Sequence, residues 1–254
     1  MLHNSMTQIL DWNSMQWVSV VLAAILVGFS KTGIGGVMML AIPLLAAAFG
    51  GKDSTGIMLP MLLIGDLFAI WYYHRSAEWK KIIVPLPWAL VGLAFGAAIG
   101  KYISDDLFIK MIGGIILICL GILIYMELIG QNLKVPDKAW FYIIVGVLSG
   151  FSSMIGNAAG PIFSVYLLAL GFKKNNFMGI NACFFFLINF TKVPLQVFIW
   201  HNIGLKSLLT ALIMIPVITL GAILGAYILK KINEKYFRYL VIVMTAIASV
   251  RLLI

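Results

Sequence analysis

Three ionisable side chains lie deep inside apolar runs of this chain: Lys31, Asp66 and Lys192. Charged residues at membrane depth are rare and mark ion or substrate pathways. Lys31 stands in Gly28-Phe29-Ser30-Lys31-Thr32-Gly33-Ile34-Gly35-Gly36, between two hydroxyl side chains and ahead of three glycines. Such a stretch can offer one ligand an ammonium, two hydroxyls and backbone N–H groups. Gly33, Gly35 and Gly36 carry no Cβ to hold the ligand off. A helix beginning after them, near Val37, would aim its positive end at the break, so an anion is the natural occupant. The competing reading is that Lys31 snorkels or neutralises a neighbouring acid.

A second polar stretch, Ser152-Ser153-Met154-Ile155-Gly156-Asn157-Ala158-Ala159-Gly160-Pro161, offers neutral donors from Ser152, Ser153 and Asn157. Its competing reading is helix–helix packing by small residues. Asp66 sits in the middle of Met58–Tyr73, and Lys192 in Phe184–Trp200, with Asn181 and Asn189 one to three turns earlier. Asp66 either pairs with Lys31 or Lys192 or acts as a proton-coupling carboxylate. The predicted binding set is Ser30, Lys31, Thr32, Gly33, Gly35, Gly36, Ser152, Ser153, Asn157, Asn189 and Lys192. His74 and His201 fall beside Tyr73 and Trp200 at helix ends and read as interfacial.

Lipid must surround the elements that hold these residues. Of 254 residues, 62% are hydrophobic and 11% charged, against about 25% charged in a soluble domain. A backbone in lipid must bond itself, in helices or closed barrels. The apolar runs are continuous rather than alternating, which selects helices. The net charge of +9 resides in short loops between apolar spans, a pattern for membrane orientation and not for nucleic acid. Cys119 and Cys183 lie within apolar runs, with no disulfide or metal spacing. The first thirty residues hold no Lys or Arg, unlike a signal peptide. No phosphate loop, nucleotide fingerprint or nucleophile–base pattern is present, so the expectation is no enzyme, no cofactor and, without a partner subunit, no ATP-driven pump.

Six spans are clean, at roughly 56–74, 82–103, 107–129, 177–200, 205–229 and 236–253. Trp17 to Phe49 and Trp140 to Leu170 are each broken by one of the polar stretches, leaving arms of roughly 10–15 residues, or about 15–22 Å. The expected fold is therefore an all-α integral membrane protein. It has two repeats of four hydrophobic segments, 1–133 and 134–254, the first segment of each broken or re-entrant. Gly28-Phe29-Ser30 returns as Gly150-Phe151-Ser152, and the stretch from Gly96 to Ile103 returns from Gly221 to Ile228. Paired broken helices in two halves point to a transport site.

If each broken segment is a hairpin, Lys52, Lys101, Lys110, Lys206 and Arg251 share one face. Arg75, Lys80, Lys81, Lys134, Lys138, Lys173, Lys174, Lys230, Lys231, Lys235 and Arg238 share the other, a split of five against eleven. If each crosses fully, the split is seven against nine and carries no bias. The positive-inside rule favours hairpins, inverted halves and both termini outside.

Gly28 to Gly36 with Pro43-Leu44-Leu45 resembles the glycine-rich first segment of the TauE/SafE sulfite-exporter-like permeases. Gly150 to Pro161 with Tyr166-Leu167-Leu168 resembles its repeat, and Asp66 and Asn189-Phe190-Thr191-Lys192-Val193-Pro194 also look like the family. The family's glycine run is more often longer than Gly35-Gly36, and Lys31 fits its lysine-bearing variant. The resemblance implies a multi-pass protein of the cytoplasmic membrane that exports small sulfur-containing anions such as sulfite or organosulfonates. Alternatives are a passive anion channel or a permease for an unrelated small anion. The expected partners are a small anion and the lipid bilayer, with a proton coupled through Asp66 and a homo-oligomer as open alternatives.

Overall fold

The computed structural model describes residues 12–32, 37–129, 139–170, 174–228, 242–243, 246–247, 249–250 and 252–254. The sequence motifs at Gly33, Gly35 and Gly36 lie outside these residues, as does most of the expected span 236–253.

The described chain is helical throughout. The first broken segment is α1 (Ser14–Thr32) and α2 (Met38–Phe49). Then come α3 (Gly51–Tyr73), a short α4 (Trp79–Ile83), α5 (Leu86–Tyr102) and α6 (Asp105–Ile129). The second broken segment is α7 (Ala139–Gly156) and α8 (Gly160–Ala169). It is followed by α9 (Lys174–Leu195), a wider π turn at Gln196–Trp200, α10 (Leu205–Ile213) and α11 (Ile215–Ile228). Pro194 brings no N–H to the helix ladder, and the backbone widens immediately after it. Helices α10 and α11 bend by 49° at Met214, in a stretch whose apolar length suits one crossing.

Each broken segment doubles back on itself. Gln16 Nε2, near the start of α1, donates to Ala48 O near the end of α2 at 3.3 Å, and the rings of Trp12 and Phe49 lie 4.8 Å apart. In the second, Tyr142 and Tyr166 pack edge to face at 5.7 Å. The arms are unequal, contrary to the expected 10–15 residues: 19 and 12 in the first, 18 and 10 in the second. The reason is local. The Ser30 hydroxyl donates to Val27 O of its own helix at 2.8 Å, so the polar triplet Ser30-Lys31-Thr32 continues α1 instead of ending it. In the second, helix geometry persists to Gly156. Asn157 then takes a left-handed conformation (φ 53°), with its N–H bonded to Ser153 O at 3.0 Å.

Contacts sort the loops to two ends. At one end Lys52 Nζ donates to Ile103 O at 2.9 Å, Asn202 Nδ2 donates to Lys52 O at 2.6 Å, and Lys206 lies 4.8 Å from the Trp12 ring. At the other, the Tyr166 hydroxyl donates to Lys81 O at 2.9 Å and Asn176 Nδ2 to Glu78 Oε1 at 2.7 Å. The first hairpin thus starts from the Trp12 end and the second from the Lys81 end.

The long hairpin arms pack reciprocally, α1 on α11 and α7 on α5. Glycines permit this closeness: a Cβ at Gly28 would lie 1.9 Å from Ile218 O, and one at Gly150 would lie 1.9 Å from Ala89 O. These contacts set Ala89 against Ile218 as counterparts, 129 residues apart, while Gly28 and Gly150 are 122 apart. Gly92, facing Val147 O, is the packing counterpart of Gly221, facing Ile25 O.

Candidate functional site

Helices α3 and α9 pack together between the two hairpins and carry Asp66 and Lys192, while Lys31 ends α1. Asp66 is completely buried and ion-paired with Lys31, whose side chain is 16% exposed. Of the two partners the sequence allowed for Asp66, the fold brings up Lys31. The second carboxylate oxygen, Oδ2, accepts from Asn189 Nδ2 at 2.6 Å. Both oxygens are thereby held, one by each hydrophobic half of the chain.

Lys192 is also completely buried. Its ammonium hydrogen-bonds Asn157 Oδ1, and it lies 3.4 Å from Ser153 Oγ and 3.5 Å from Asn189 Oδ1. All three oxygens are neutral, and among the described residues Lys192 has no carboxylate partner. The left-handed backbone at Asn157 turns the chain at the break beside this ammonium. The Asn157 amide nitrogen points the other way, to Met58 Sδ at 3.6 Å. Lys31, Asp66, Asn189, Lys192, Ser153 and Asn157 thus form one continuous polar chain linking the end of α1 to the second break.

The remaining predicted residues have other duties. Ser30 lines a narrow cavity beside Lys31 and Asp66, but its hydroxyl bonds within α1. Thr32 Oγ1 donates to Ala222 O at 2.7 Å and so ties α1 to α11. Ser152 is buried and gives its carbonyl to Ala158 N–H at 3.2 Å. Two residues absent from the predicted set stand out. Asn181 lines the cavity with Lys31, Asp66 and Phe185, and its buried Oδ1 has no hydrogen-bond partner among the described residues. Gln196 is completely buried with both amide atoms unpartnered among the described residues. Their signal in the sequence was an amide on an apolar helix at helical spacing from Lys192.

Chemically, the centre combines two ammonium groups with one carboxylate. It is suited to holding a negatively charged solute away from water. A bundle of apolar helices around such a centre is a multi-pass membrane transport protein. The sulfite exporter TauE/SafE family model matches residues 20–252, and the chain belongs to that family. It is 28% identical over 239 residues to a probable membrane transporter protein of Methanocaldococcus jannaschii, covering 84% of this chain and 88% of that one. No solved structure matches. The family places the protein in the cell membrane as a transporter and not an enzyme.

Proposed function

We propose that the protein is a secondary exporter of a small sulfur-containing anion, sulfite or an organosulfonate, bound between the two hairpin breaks. The observation that carries this reading is Lys192. A fully buried ammonium hydrogen-bonded only to neutral oxygens among the described residues is costly. A dehydrated anion supplies the missing charge. The full burial of Lys192 favours an occluded, alternating site over an open channel. Sulfur oxyanions and export as the direction rest on the family's description.

Residues 1–133 and 134–254 act as inverted halves in this reading. The reciprocal α1–α11 and α5–α7 packing and the hairpins entering from opposite ends support it. Asp66 is the candidate for proton coupling, with Lys31 as the partner it would release. The test is twofold. Purified protein is screened for thermal stabilisation by sulfite, methanesulfonate, sulfate, phosphate and chloride, since a ligand of the folded state raises Tm. Proteoliposomes are then assayed for sulfite flux with and without a proton gradient. Stabilisation by sulfite or methanesulfonate and gradient-driven flux are expected. Stabilisation by none of these anions would overturn the proposal.

A further inference from the structure

We infer that Gln196 is a direct contact of the transported anion, a donor that sets affinity one helical turn beyond Lys192. This inference rests on the anion site proposed above. Gln196 is completely buried, yet neither Nε2 nor Oε1 has a hydrogen-bond partner among the described residues. Leaving both ends of a buried amide unpaired is unfavourable, and native proteins rarely do so without a ligand or water to complete the set. Only the backbone of Gln196 is engaged: its carbonyl accepts from Asn202 N–H at 3.2 Å.

Position ties the amide to the anion. Gln196 follows Lys192 by four residues, one turn further on where α9 runs into the π turn, so the two stand on the same side of this segment. It opens the π turn, a distortion frequent at functional sites. The local donor inventory is also short. Asn189 Nδ2 is committed to Asp66 and Asn157 Nδ2 to Met58 Sδ, so both amides turn acceptors toward Lys192. An oxyanion at Lys192 has several acceptor lone pairs and, besides the ammonium, the Ser153 hydroxyl. The free Gln196 NH2 supplies donors where they are short.

The experiment compares wild type with Gln196→Leu and Gln196→Glu in lipid nanodiscs, using sulfite as the probe. Sulfite Kd and the ligand-free Tm are both measured. Gln196→Leu is expected to raise Kd about tenfold, the scale of one hydrogen bond to a charged group. Gln196→Glu, with acceptors in place of donors, is expected to raise it further. Ligand-free Tm of Gln196→Leu should equal or exceed wild type, because an unpaired buried amide is removed. A Kd within twofold of wild type in Gln196→Leu overturns the inference and leaves the anion site standing. A ligand-free Tm several degrees lower in Gln196→Leu shows that the fold itself satisfies the amide, and also overturns it. Wild type that binds neither sulfite nor methanesulfonate, sulfate or phosphate overturns the anion site and this inference together.

Discussion

Asn189 holds Asp66 from across the bundle: its Nδ2 donates to Asp66 Oδ2 at 2.6 Å, while its Oδ1 faces Lys192 Nζ at 3.5 Å. One amide therefore stands between the carboxylate of α3 and the buried ammonium of α9. With Lys31 on the other carboxylate oxygen, a change at any of these groups reaches the rest through at most three hydrogen bonds. This connection makes the roles of the three charged residues separable by substitution.

Asp66→Asn removes the only carboxylate that Lys31 meets among the described residues. Losing one member of a buried pair typically costs about 3–5 kcal/mol, and the partial exposure of Lys31 places the expected loss near about 3 kcal/mol. The double variant Lys31→Met/Asp66→Asn restores most of that stability, because no charge is left unpaired. If Asp66 couples protons, gradient-driven sulfite flux is absent from both variants even where stability returns. Thermal unfolding and proteoliposome flux read the two effects apart. Flux at the wild-type level in the double variant would remove Asp66 from coupling.

Orientation follows from the two ends of the bundle. Lys52 and Lys206 gather at the Trp12 end, and Lys81 and Glu78 at the other. The positive-inside rule puts the Lys80–Lys81 end in the cytoplasm. In intact cells, Lys110→Cys is expected to react with a membrane-impermeant thiol reagent and Lys80→Cys to be protected. Native Cys119 and Cys183 are buried and give little background. A reporter active only in the cytoplasm, fused after Ile254, should be silent. Labelling of Lys80→Cys with protection of Lys110→Cys would reverse the assigned orientation.

Much of this was legible in one dimension. Apolar runs of membrane length announced α3, α5, α6 and α9, and their few charges singled out Lys31, Asp66 and Lys192. Which lysine meets Asp66 was not legible, since it depends on how α1 and α9 flank α3 in space. The break positions were misjudged because Ser30-Lys31-Thr32 reads as polar punctuation. Its serine instead satisfies its own helix, and its threonine a neighbouring one. Glycines recur at four-residue spacing in both α5 and α11, so the sequence alone leaves open which glycine meets which facing carbonyl. Gln196 is not among the sequence-derived site residues, because its lack of hydrogen-bond partners among the described residues is visible only in three dimensions.

Gly28 and Gly150 are the expected weak points of the packing. A Cβ at either position would meet a backbone carbonyl at 1.9 Å, and backbone cannot swing aside as a side chain can. Overpacking a core typically costs about 1–3 kcal/mol. Gly28→Val and Gly150→Val should both reach or exceed the top of that range, seen as lowered Tm or loss of monodisperse protein. Gly121, with nothing within 4 Å of its would-be Cβ, is the control. Gly121→Ala should be neutral or raise stability by up to about 1 kcal/mol through helix propensity. Equal behaviour of all three variants would contradict the close α1–α11 and α5–α7 approach.

Lys31 and Lys192 carry the same charge in different company, and their substitution separates a structural cation from a ligand-binding one. Lys31 already has a carboxylate; Lys192 has Ser153, Asn157 and Asn189, none of them charged. An anion bound as proposed would therefore gain most from Lys192. Charge-assisted hydrogen bonds contribute roughly 1.5–3 kcal/mol each, so Lys192→Met is expected to raise the sulfite Kd at least about tenfold. Lys192→Met also removes an unpaired buried charge, so its ligand-free Tm should be no lower than wild type. Lys31→Met should show the opposite pattern: a smaller change in Kd, with reduced stability because Asp66 is left buried without its cation. Calorimetric titration with sulfite and thermal unfolding of both variants make the comparison. A larger loss of affinity in Lys31→Met than in Lys192→Met, with both proteins folded, would move the anion from the second break to the first.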